Sequence, residues 1–168
     1  MGPIHTRTVD ANGGHVKVGI ADLAVESGAV TLSTSGLGSC LAIVVHDARA
    51  DVGGLVHTMV PTAGNSPAQN PAKYTDTGIQ RLVDAVTEAG AARSRLTAKY
   101  VGGSNMIQLG STGDSIGDRN VTVASATFDR LEIPVVATDT GGNRGRSIRF
   151  HVESGRVTVK RNGTEAEL

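Results

Sequence analysis

The stretch Leu41-Ala42-Ile43-Val44-Val45-His46 constrains this chain more than any other. It is unbroken, apolar, rich in β-branched residues and too short for a buried helix. Such a run reads as a strand buried on both faces, so the fold must supply a layer on each side of it. Asp47 to Asp51 reads as a turn, and Val52 to Val60 as the next strand, ended by Pro61. The two strands read as a hairpin. Aromatic residues make up only 2% of the chain and Trp is absent, so Val, Ile, Leu and Ala must build the core. At 168 residues and 39% hydrophobic, the chain suits one domain with a sizeable core.

Further strands are expected at Val16 to Ile20, Ala29 to Thr34, Leu96 to Val101, Val135 to Thr138, Ser147 to Val152 and Arg156 to Lys160. The last two form a terminal hairpin across Ser154-Gly155. Ile79, Leu82, Val83 and Val86 fall at helical spacing, and Gly90 is placed to stop that helix. A second helix, with Asp118 as its cap, buries Ala124, Phe128 and Leu131. Pro61 to Pro71 is a surface loop. Residues 1–15 are read as a flexible tail and 16–168 as a single domain. The order of elements gives an α+β fold, a mixed sheet partly covered by two helices.

Lys plus Arg and Asp plus Glu number 16 each, which points to neither nucleic acid nor an anionic membrane as partner. No apolar run is long enough to span a bilayer, and the N-terminus does not read as a signal peptide. The expected location is the cytoplasm. One Cys excludes an internal disulfide framework, and no ligand cluster has metal-site spacing, so no cofactor or metal is expected. Asp139-Thr140-Gly141-Gly142-Asn143 resembles a phosphate-cradling loop, but it lacks the Lys and Ser/Thr of a P-loop.

The single Cys has an unusual approach, Thr34-Ser35-Gly36-Leu37-Gly38-Ser39-Cys40, with the buried strand starting just after it. Glycines at a loop-to-strand junction permit close backbone contact, and N–H groups around Gly38 and Ser39 can face a developing oxyanion. A thiol there is either a small core residue at a tight turn or a nucleophile. Of the five His, His5 and His15 fall in the tail, and His46 and His151 end strands. His57 sits in an otherwise apolar strand beside that of Cys40, where a base for the thiol belongs. A group that fixes its tautomer is also needed; Thr34, Ser39, Asp76 and Asp139 are the candidates.

The chain resembles the CheD family. The resemblance rests on Thr34-x-Gly36-Leu37-Gly38-Ser39-Cys40 and on Gly53-Gly54-Leu55-x-His57-x-Met59-x-Pro61. It continues through Lys73-Tyr74-x-Asp76, Gly102-Gly103-Ser104-x-Met106, Ile116-Gly117-x-Arg119-Asn120 and the stretch from Asp139 to Ser147. It implies an α/β sandwich with mixed, mostly antiparallel sheet layers and two helices. It also implies a protein-glutamine deamidase acting on chemoreceptors in chemotaxis, with Cys40 as nucleophile, His57 as base and Thr34 as its orienting partner. A CheC-type phosphatase is the implied further partner. The alternative is a non-catalytic regulator that works by binding such a phosphatase. Arg144, Arg146 and Arg149 cluster after the Gly-Gly-Asn loop and are expected to meet the substrate helix or to guard a strand edge, with one of them also free to brace the Asp139 loop internally.

Overall fold

The computed structural model describes residues 6–10, 13–65, 69–105 and 115–168, without the side chains of 6–10 and Gly13. Structural statements below refer to these residues. His5, Met106 and parts of the loops expected at 61–71 and 104–117 lie outside them.

Strands β1 (Thr6–Asp10), β2 (Gly13–Lys17), β3 (Leu23–Ser27), β4 (Val30–Leu37), β5 (Leu41–Asp47) and β6 (Val52–Thr58) come first. Helix α1 (Thr75–Glu88), β7 (Thr97–Gly102), α2 (Ile116–Leu131), β8 (Val135–Thr140), β9 (Arg146–His151), β10 (Arg156–Arg161) and β11 (Thr164–Glu167) follow. They form two sheets. A five-stranded sheet has the order β3-β6-β5-β7-β8, and a six-stranded sheet the order β1-β2-β4-β9-β10-β11. Antiparallel pairs dominate; β2 with β4 and β7 with β8 are parallel. The architecture is α+β, as expected, but with two stacked sheets where pattern alone indicated one.

The double-faced run lies at the centre. Leu41, Ile43 and Val45 pack with the helices, whereas Ala42 and Val44 pack between the sheets. All five are at most 3% exposed. Alternation along one strand therefore feeds two cores, and each fully buried Leu, Ile or Val stabilises by about 2 kcal/mol. Ile79, Leu82, Val83 and Val86 of α1 are buried against this sheet, as their spacing requires. From α2, Ala124, Phe128 and Leu131 join the same core, and the Phe128 ring stacks with Tyr100 at 6.3 Å between centroids. No helix is long and apolar enough to cross a membrane.

Several boundaries differ from those the sequence suggests. The N-terminal strand pair runs Thr6–Asp10 against Gly13–Lys17, ahead of the Val16 to Ile20 strand expected. Strand β3 was not expected, because its apolar part is only the three residues Leu23-Ala24-Val25 and its far end is polar. All four residues of β11 are exposed, so it too lacks an apolar pattern. The α2 cap is Ser115, whose side chain accepts from the Asp118 N–H; Asp118 lies inside the first turn. Asp47, read as turn residue, is fully buried. Its carboxylate accepts from the Arg49, Ala50 and Ala92 N–H groups and pairs with Arg95 at 2.9 Å. The Arg95 guanidinium holds the Asp47 carboxyl well below the usual carboxylate range.

Candidate active site

Inward alternation on β4 and on β6 brings Thr34 and His57 together across the gap between the sheets. Thr34 Oγ1 lies 2.7 Å from His57 Nδ1 and 2.7 Å from the Val18 carbonyl oxygen. A hydroxyl has one proton. It goes to Val18, because a carbonyl can only accept, so Thr34 must accept from Nδ1–H. This fixes the neutral imidazole with its proton on Nδ1 and its lone pair on Nε2. Nε2 is buried and has no hydrogen-bond partner. The backbone of His57 is also pinned, donating to Asp22 and accepting from Ala21. Burial pushes the His57 pKa down to about 4, so the ring is neutral at physiological pH.

Cys40 sits one residue ahead of β5. Leu41 pairs with Thr58 and Ala42 with His57, so Cys40 shares the face of the sheet occupied by His57, one diagonal step away. It packs at the edge of the inter-sheet core and stays partly exposed. Burial pushes its thiol pKa up, partly offset by its own backbone N–H. With the imidazole pushed down and the thiol pushed up, the resting pair is thiol and neutral imidazole. No hydrogen bond joins them in this state, since Nε2 is unpartnered.

The turn before Cys40 is clamped from two directions. The Gly103 N–H donates to the Cys40 carbonyl at 2.9 Å, and the Ser104 N–H to the Gly38 carbonyl at 2.9 Å. Gly102 has φ +122°, and a Cβ there would collide with the Cys40 carbonyl oxygen. A Cβ on Gly117, in the first turn of α2, would likewise collide with the Ser104 and Gly103 carbonyl oxygens. The two glycine motifs thus let backbone pack on backbone beneath the thiol.

From α2, the fully buried Asn120 donates through Nδ2 to the Ser39 carbonyl at 2.8 Å and to the Met59 carbonyl at 3.1 Å. Its Oδ1 accepts from Thr75 Oγ1, which also contacts Thr58 Oγ1. Asn120 therefore ties the residue before Cys40 to the strand end carrying His57. Sequence reasoning gave Asn120 no role; an Asn amid the buried stripe of a helix was the available signal. At the turn itself, the Gly38 N–H bends back to the Gly36 carbonyl. Among the described residues, the N–H groups of Ser39 and Cys40 donate to no backbone carbonyl.

Of the four candidate orienting groups, Thr34 alone bonds to His57. Asp139 pairs with Arg146 and Arg161, the Asp76 side chain accepts from the Thr77 N–H in its own helix, and Ser39 contributes its carbonyl to Asn120. The three arginines do not form one cluster. Arg146 has its side chain 3% exposed and bonds Asp139 and the Gly141 carbonyl. Arg149, three residues on, falls on the opposite, outer face of β9, and Arg144 is exposed on the preceding loop.

Comparison with known proteins bears on this site. The family model described as CheD chemotactic sensory transduction matches residues 59–161. A Haloarcula marismortui protein named probable chemoreceptor glutamine deamidase CheD is 43% identical over 151 residues, covering 90% of this chain and 87% of its own length. The protein of that name from Desulfitobacterium hafniense is 44% identical over 147 residues, covering 86% of this chain and 92% of its own. This chain belongs to the CheD family. The family-model match begins after Thr34, Cys40 and His57, but an alignment over 151 of 168 residues must include all three. A crystal structure of a Neisseria meningitidis protein of the DUF152 family superposes with a TM-score of 0.51 at 11% identity. It covers 73% of this chain and 54% of that one, a likeness of fold alone.

Proposed function

We propose that this protein is a chemoreceptor glutamine deamidase that works through a Cys40 thioester, in the cytoplasm, as part of chemotactic adaptation. The names of its CheD relatives supply the substrate class. The observation that carries the chemistry is the buried chain from the Val18 carbonyl through Thr34 to His57 Nδ1, which leaves Nε2 unpartnered on the face shared with Cys40.

In this reading a receptor Gln carboxamide enters beside Cys40. As the sulfur attacks the carboxamide carbon, Nε2 takes the thiol proton, because neither group is charged beforehand. The resulting imidazolium is held by Thr34 Oγ1, a neutral acceptor that stabilises the positive ring less than a carboxylate does. In this proposal the N–H groups of Ser39 and Cys40 receive the oxyanion, with Gly38 shaping their turn. The tetrahedral adduct collapses by breaking its C–N bond, and His57 gives its proton to the departing ammonia. Water, deprotonated by the same Nε2, then attacks the thioester, releasing Glu and restoring the thiol. Arg144 stands exposed where an acidic receptor helix is able to meet it, and Arg146 braces the Asp139 loop. The family resemblance adds a CheC-type phosphatase as regulatory partner.

The test is ammonia release from a purified receptor cytoplasmic fragment, with and without a CheC-type protein. The wild-type protein is expected to release ammonia, and Cys40→Ala none. A non-catalytic regulator would release none in either form while still binding the phosphatase.

A further inference from the structure

The outer face of the six-stranded sheet, on the side away from His57, carries a cavity that the deamidase reading leaves unused. Strand register aligns Lys17, Ser33, Arg149 and Thr158 in one row across β2, β4, β9 and β10, and the row ends on β11 at Glu167, which pairs with Arg156. The adjoining row sets Ser147 opposite Lys160, with Glu165 beyond. Ser33 lies between inward Leu32 and Thr34, Arg149 between Ile148 and Phe150, and Thr158 between Val157 and Val159, so alternation turns all three outward. These residues, with His15 and Ser35, surround a cavity of about 400 Å³ that Val18 and Thr34, the first links of the chain to His57, also line from the inner side.

The charge there is one-sided. Lys17, Arg149 and Lys160 stand against a single carboxylate, Glu165, and no ion pair among the described residues engages any of the three cations. The whole chain has equal numbers of acidic and basic residues, so this excess is local. Ser35, Ser147 and Thr158 add neutral donors between the cations. A guanidinium fork, two ammonium point charges and hydroxyls in one concavity match a group with several anionic oxygens. The volume lies within the range of roughly 300–1,000 Å³ typical of small-molecule sites, where a protein partner would favour a flatter surface.

We infer that this cavity is a binding site for a small phosphorylated anion, distinct from the Cys40 site. The inference does not depend on the deamidase reading, because its test measures binding alone. The probe is pyrophosphate, titrated calorimetrically into the full chain at low ionic strength and again in sodium chloride of matched ionic strength. Saturable one-to-one binding is expected. It should weaken at least about tenfold in Arg149→Ala and in Lys160→Ala, the loss that one charge-assisted hydrogen bond implies, and tighten in Glu165→Gln. Amide chemical shifts of the wild-type protein should move at Ser33 and Ser147 on titration, which needs no variant to fold. Binding that does not saturate, that sodium chloride reproduces, that both variants retain in full, or that shifts amides elsewhere overturns the assignment.

Discussion

Replacing Asn120 by Ala tests whether the tie beneath Cys40 matters. The side chain is fully buried and makes three hydrogen bonds, two given to the Ser39 and Met59 carbonyls and one received from Thr75. Each contributes a net of about 1 kcal/mol, and the part-buried Ser39 and Met59 carbonyls lose their donor, for a total of about 3 kcal/mol. The same change releases the turn that carries Cys40, and in the proposed mechanism a displacement near 1 Å there costs about a hundredfold in rate. Urea unfolding reads the first quantity, as a lower midpoint at unchanged slope. The second is read by ammonia release well below the unfolding transition, together with the rate at which iodoacetamide alkylates Cys40. A purely structural Asn120 would lower the midpoint and leave the turnover of folded protein intact. A variant with wild-type midpoint and wild-type turnover would refute the reasoning altogether.

Three further outcomes follow from the same geometry. Thr34→Val removes both 2.7 Å bonds at nearly constant shape and frees the imidazole tautomer; turnover should fall roughly 10–100-fold, less than in His57→Ala, and Thr34→Ser should restore most of it. Because His57 titrates near 4 when folded and near 6.5 when unfolded, its neutral form contributes stability that is complete above pH 6.5 and lost as pH falls toward 4. Turnover should therefore hold level through neutral pH and decline as pH approaches 4, measured as kcat/KM against pH, and a rate that instead tracks thiol ionisation at alkaline pH would contradict a neutral resting pair. Asp47→Ala breaks a buried acceptor of three backbone N–H groups and Arg95, and should cost about 3 kcal/mol in urea unfolding without changing turnover of the folded protein.

The parts of the fold legible in the sequence are those with strong periodicity. The run from Leu41 to Val45 announced two covering layers, and it sits between the helices and the second sheet. The α1 stripe was likewise readable, since four residues at helical spacing leave one buried face. Strands β3 and β11 were not: the apolar part of β3 is only Leu23-Ala24-Val25, β11 is polar but for one Ala, and such short edge strands depend on a neighbour's ladder. The split into two sheets was also hidden from local pattern: it is decided by whether β4 pairs with β9 or with β5, a long-range choice. At the site, residue type and glycine context marked Cys40 and His57; pattern left four candidates for the orienting group, the family resemblance pointed to Thr34, and the meeting of β4 with β6 across the sheets puts Thr34 against His57. The arginines split because positions 146 and 149 differ by an odd number on one strand and so point to opposite faces; Arg146 braces Asp139, the internal role the sequence also offered for one of them.

The most direct measurement is intact mass spectrometry of the protein after rapid acid quench during turnover with a receptor cytoplasmic fragment. Cys40 is expected to carry the receptor as an acyl thioester, released by hydroxylamine and absent from Cys40→Ala, with receptor Gln converted to Glu only by the wild-type protein. Conversion at the wild-type rate by Cys40→Ala would show that the thiol is not the nucleophile.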